Sequence, residues 1–182
     1  MTLAERIIKR TIPLVLADDE DVRATLRTFT DLCNRLSPIC WNEGKPLSPR
    51  ALHERAYHEV KGTLSAQMTC TAIRLIASHY TKRKKLTGPV VFKRPFALFL
   101  IGKRGRDASI RRDGTISIWT VGGRKKIPFS VPDYFVPYFA NALSFDSLIV
   151  KERNGKLVGH LCATLPRPGA KGHVPVGIDR NE

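Results

Sequence analysis

The hydrophobic period of this chain changes at Gly88-Pro89. From Val22 to that point apolar residues recur every three or four positions; after it they alternate or gather in short runs. A helix buries one stripe at a period of 3.6 and a strand buries one face at a period of 2, so the two parts must fold differently. Val22, Leu26, Phe29, Cys33, Leu36 and Cys40 form one helical stripe. It follows Asp18-Asp19-Glu20-Asp21, carboxylates that suit a helix N-terminus with its free N–H groups and positive dipole end. Gly44 and Pro46 break the pattern. Ser48-Pro49 opens a second helix as cap and first-turn proline; Leu52, Ala56 and Val60 share its inner face and Gly62 ends it. Ser65 starts a third, with Met68, Ala72, Leu75, Ile76 and a packed His79 inward and Lys82 to Lys85 in its last turn.

Beyond Pro89 the runs "VVF", "FALFLI", "ASIRR", "TISIWTV", "KKIPF", "DSLIVKE" and "KLVGHLCATL" read as short strands. Asp113-Gly114 and Asn154-Gly155 favour tight hairpin turns with positive φ. In the last run Leu157, Leu161, Ala163 and Leu165 lie on one face around Gly159, and Lys156, His160 and Thr164 on the other. "VPDYFVPYFANAL" reads as a short helix or an aromatic-rich loop. One β-prone stretch, residues 6–16, precedes the helices; Pro13 marks it as an edge or bent strand. With no strand beside it in sequence, it is expected to pair with those after Pro89. The expected fold class is therefore α+β: a small antiparallel β-barrel with an inserted helical bundle. Residues 1–17 supply the first barrel strand, 18–87 the insertion and 88–166 the rest of the barrel. Residues 167–182 form a linker and one further strand.

The 182 residues, 42% of them hydrophobic, suffice for one domain with a proper core or two small ones. No apolar run approaches a bilayer-spanning length, and the charged N-terminus lacks the apolar stretch of a signal peptide. Cys33, Cys40, Cys70 and Cys162 include no C-x-x-C pair, which argues against a zinc site and for small core residues. A cytoplasmic location is expected. Lys and Arg number 31 against 16 Asp and Glu, a net +15. Such an excess calls for a polyanionic partner, nucleic acid before an anionic membrane, since no basic amphipathic helix with a bulky apolar face is evident.

The cations cluster: Lys82, Arg83, Lys84 and Lys85; Lys93 and Arg94; Lys103, Arg104 and Arg106; Arg111 and Arg112; Arg124, Lys125 and Lys126. At helix ends and strand–loop junctions they could line a groove that tracks phosphates. Phe92, Phe96, Phe99, Trp119 and Phe129 lie among them as rings on which bases could stack. Binding should weaken steeply with salt, and alanine at Lys82 to Lys85 should flatten that dependence. No G-x-S-x-G, H-E-x-x-H or phosphate-loop motif occurs, and His53 and His58, five apart on one helix, make a poor metal pair. The remaining candidate is Asp179 in "GAKGHVPVGIDRNE", a carboxylate leaving an apolar run. Such a group can bind Mg2+, but two-metal cleavage needs several carboxylates, and Glu182 would face the other way.

Four stretches in this order resemble the N-terminal half of TnpB-type proteins, transposon-encoded RNA-guided nucleases related to type V CRISPR effectors. They are "VRATLRTFTDLCNRLSPICWNEG", "ALHERAYHEVKGTLSAQMTCTAIRLIASHYTKRKK", "DGTISIWTVGGRKKIPF" and "PVGIDRNE". The resemblance implies a wedge-type barrel split by a helical recognition insertion, binding guide RNA and target DNA. It makes Asp179 the first catalytic carboxylate, and a Mg2+ ligand, of a RuvC-like domain. That domain's further acids and cysteine-rich zinc module do not occur here, so the chain reads as truncated and is expected not to cut DNA alone. Two other readings compete. One is a stand-alone RNA- or DNA-binding module, a regulator or transposon accessory factor; the other is an unrelated basic β-barrel such as a translation-associated protein.

Overall fold

The β-prone stretch ahead of the helices does pair with late strands. In the computed structural model, which describes residues 7–81, 88–102 and 107–167, strand β1 (Ile7–Leu16) lies antiparallel to the last strand along its whole length. Six further strands follow the long helices: β2 (Phe96–Leu100), β3 (Ala108–Ile110), β4 (Thr115–Thr120), β5 (Gly123–Ser130), β6 (Ser144–Arg153) and β7 (Lys156–Pro166). Their order across the sheet is β2-β6-β7-β1-β5-β4-β3, every pairing antiparallel. The two edges meet at an isolated bridge between Ile101 and Ala108, so the sheet curls into a nearly closed barrel. Asp107, buried beside that bridge, accepts from the Leu100 N–H at 3.2 Å and ties the two edges together. Over Ile7–Leu14, β1 has β7 alone for a partner, because β5 pairs only with Val15 and Leu16. Pro13 therefore interrupts no second ladder, as its missing N–H requires.

Alternation fills the barrel. Ile12 and Leu14 of β1, Phe99 of β2, Leu148 and Val150 of β6, and Leu161 and Ala163 of β7 are all completely buried. Gly159 sits where these rows converge: a Cβ there would stand 2.9 Å from Leu148 Cδ1 and 3.0 Å from Leu16 Cδ1. The hairpin between β6 and β7 turns on Asn154 and Gly155 (φ 51° and 73°), the left-handed pair that a tight turn demands.

Helix α1 (Glu20–Trp41) starts at Asp19, whose side chain accepts from the Val22 N–H at 3.0 Å. Its stripe from Val22 to Cys40 is buried, including Cys33, whose thiol burial pushes up to about 12 and leaves unreactive. Helix α2 (Pro49–Val60) starts on the Ser48 cap, and α3 (Ala66–Thr81) packs against both. Thr25 of α1 accepts from the Val121 N–H at 2.9 Å, and Arg23 donates to the Gly155 carbonyl at 2.6 Å. Thus α1 lies across one mouth of the barrel, on the β4–β5 and β6–β7 turns. The aromatic stretch after β5 is a helical turn, Asp133–Phe135, running into a short helix α4 (Val136–Ala140). It closes the other mouth: Phe139 packs on Phe129 and Phe145, and Tyr138 lies 4.0 Å beneath the Arg10 guanidinium. The buried side chains of helices and strands form one continuous core.

One expected strand is absent. Residues 90–92, "VVF", join no ladder. Their polar groups go instead to helix side chains. The Val90 N–H donates to Tyr80 Oη at 2.9 Å, and Ser37 Oγ donates to the Val90 carbonyl at 2.6 Å. Asn34 takes both groups of Phe92, accepting from its N–H at 2.8 Å and donating to its carbonyl at 3.1 Å. Thr30 does the same for Phe96, at 2.8 and 3.2 Å. Residues 30, 34 and 37 are spaced four and three apart, so they form a polar row beside the apolar stripe of α1.

Candidate nucleic-acid interface

That segment is one wall of a cleft of about 590 Å³. Val91, Phe92, Lys93, Arg94, Pro95 and Phe96 face the end of β6 (Lys151, Glu152, Arg153) and the outer face of β7 (Val158, His160). The sheet register sets the second wall. Phe96 pairs with Lys151, and Lys151 with Val158, so all three emerge on the outer face in one row. Lys151 and Arg153, two apart on a strand, point to the same side.

Four exposed cations thus share one concavity: Lys93, Arg94, Lys151 and Arg153. The acid among them, Glu152, is paired from behind with Arg23 of α1, whose guanidinium holds it at 2.7 Å. Arg23 also binds Asp18 at 2.7 Å. His160 stands at the edge of the cleft; partial desolvation of its ring, then Lys151 and Arg153, hold its pKa below the ordinary 6.5. At neutral pH it is an uncharged donor and acceptor. The cleft therefore has a cationic rim, an apolar floor and a neutral polar group at one side.

The other sequence-predicted cations are dispersed. Arg111 and Lys126 are exposed. Arg112 donates to the Ala140 and Ala142 carbonyls at 2.6 and 2.8 Å, clamping the end of α4. Lys125 is held by Asp21 at 2.5 Å and Asp19 at 3.2 Å, which raise its pKa and occupy its charge. Arg124 donates to Ser117 Oγ and lies 5.9 Å from the Trp119 ring centroid. Lys82, Arg83, Lys84, Lys85, Lys103, Arg104, Arg106 and Asp179 lie outside the described residues.

The rings need correction. Phe99 is fully buried in the barrel and Phe129 packs on Phe139, so neither can take a base. Each occupies an inward strand position that alternation assigns to the core. Phe92 and Phe96 are half-buried, 5.3 Å apart, with Phe29 and His79 behind them. Trp119, at 39% exposure, is the accessible large ring of the five.

Lys151, Arg153 and His160 lie outside every run of basic residues in the sequence. The legible signal was the alternation Lys-x-Arg just before a hairpin turn, which places two charges on one face. Among the described residues no three His, Cys, Asp or Glu side chains gather as they would for a metal ion. No helix of the described residues is long and apolar enough to cross a membrane. The chain matches no protein-family model and no curated protein.

Proposed function

We propose that this chain is the nucleic-acid-binding part of a TnpB-type RNA-guided system, holding guide RNA and contacting target DNA. The observation that carries the reading is the convergence of Lys93, Arg94, Lys151 and Arg153 on one cleft whose acid is already paired. Four uncompensated cations around a concavity attract a polyanion, and counterion release makes such binding strong at low salt. Chain order supports the type: a barrel strand, then three helices, then six more strands, as in a wedge-type barrel divided by a helical recognition insertion. On this reading Asp179 would be the first carboxylate of a RuvC-like site using Mg2+. Asp179 lies outside the described residues.

The test is charge reversal. The variant K93E/R94E/K151E/R153E should lose more than tenfold in RNA affinity at moderate salt. Its plot of log affinity against log salt should flatten by about 0.7 for each phosphate that is no longer neutralised. Lys125→Ala, whose charge is already engaged by Asp19 and Asp21, is the control that should leave both unchanged. RNA copurified with the chain should be dominated by one transcript encoded near its gene. Unaltered affinity and slope in the reversed variant would remove the cleft from binding. A mixed population of cellular RNAs would favour a stand-alone binding module over a guide-RNA partner.

A further inference from the structure

We propose that the cleft takes one unpaired nucleotide of a single strand, its base against the apolar floor and its flanking phosphates on the cationic rim. The inference rests on the nucleic-acid reading above and goes further by naming what enters. A surface that only tracks duplex phosphates needs cations at phosphate spacing and nothing more. It has no use for an apolar hollow between them, because a duplex keeps its bases paired and stacked inside. Here the hollow is built from both walls: Val91, Phe92, Pro95 and Phe96 from the segment leading into β2, and Val158 from β7. Val91 is 66% exposed. At about 590 Å³ the cleft falls within the range of roughly 300–1,000 Å³ in which small organic ligands are held.

The charges are arranged for the same ligand. Lys93 and Arg94 stand on one wall and Lys151 and Arg153 on the other, so the phosphates on either side of an inserted nucleotide each meet a pair of cations. Glu152 would repel them, but Arg23 holds it. His160, uncharged at neutral pH, can give or accept a hydrogen bond at a base edge without drawing phosphate into the hollow. Single-strand binders commonly combine a charged track with apolar or aromatic surfaces for bases, and such surfaces tolerate any base because every base has an apolar face.

The experiment uses the whole chain with short RNA and DNA single strands carrying one 2-aminopurine, and with duplexes of the same sequences. Entry of a base into the cleft should change 2-aminopurine fluorescence, and single strands should bind at least tenfold more tightly than duplex. Val158→Gln makes the floor polar at an outward-facing position and should lower single-strand affinity about tenfold while leaving duplex affinity unchanged. Val91→Gln, on an exposed side chain outside any ladder, should act in the same direction without touching the fold. Duplex bound as tightly as single strands, with both glutamine variants silent, would overturn the nucleotide proposal. If K151E/R153E still weakened binding, the failure would be confined to that proposal. If K151E/R153E were silent too, the nucleic-acid reading itself would fall.

Discussion

On the hairpin wall of the cleft the backbone is paired residue by residue, from Arg153 with Lys156 back to Ser144 with Thr164, with one bulge between Phe145 and Ser147. On the facing wall residues 90–95 join no strand, and Val90 and Phe92 hand their N–H and carbonyl groups to Tyr80, Ser37 and Asn34. Both walls give backbone groups hydrogen-bond partners, which buried groups rarely go without. They differ in what they depend on. A ladder depends on backbone spacing and on room for the side chains behind it. A segment held by helix side chains depends on each of those side chains being present. The ladder wall should therefore tolerate outer-face substitutions and fail on crowding, whereas the other should fail when a single amide or hydroxyl is removed.

The largest effect should come from crowding the ladder wall. Gly159→Val would drive two methyl groups into Leu148, Leu16 and Leu14, already within 3.3 Å of where a Cβ would stand. Overpacking at such a site costs about 3 kcal/mol, and chemical denaturation should show it. An unchanged midpoint would mean that the β6–β7 wall yields more easily than its pairing implies.

A smaller, more selective effect is expected on the other wall. Asn34→Ala leaves the N–H and carbonyl of Phe92 without their partner and should cost about 1–2 kcal/mol. Because Lys93 and Arg94 follow at once, RNA affinity should fall with it, more than for a variant of equal instability inside the barrel. Equal drops in affinity at equal instability would erase the distinction between the walls.

The smallest effect is electrostatic. The folded pKa of His160 lies below its ordinary 6.5, so in acid the unfolded chain binds the proton first. Its contribution to stability is present above about pH 6.5 and is lost as pH falls through the depressed value. Urea midpoints between mildly acidic and neutral pH should drop slightly more for the native chain than for His160→Gln. A steeper drop in the variant would reverse the sign and refute the electrostatic account of this edge.

Several features were legible before any coordinates. The apolar stripe of α1, the caps at Asp19 and Ser48, and the turns at Asp113-Gly114 and Asn154-Gly155 all depend on residues within a turn or two of each other. The strand expected at "VVF" does not form: its composition is β-prone, but Asn34 and Ser37, which hold it with Tyr80 of α3, lie more than fifty residues earlier on α1. The polar row Thr30, Asn34 and Ser37 was visible as spacing. What it binds was not.

The sequence by itself therefore determined most of the element types, the change of period near Gly88, and the pairing need of the first strand. Each follows from backbone sterics and local alternation, which act over a few residues. Tertiary structure alone decided which cations matter. Lys93 and Arg94 meet Lys151 and Arg153 because β2 pairs with β6, Lys125 is held by the acids of the α1 N-terminus, and Arg112 clamps α4. Charge is a property of a residue, but a binding site is a property of distances, and those are set by long-range pairing that no local pattern contains.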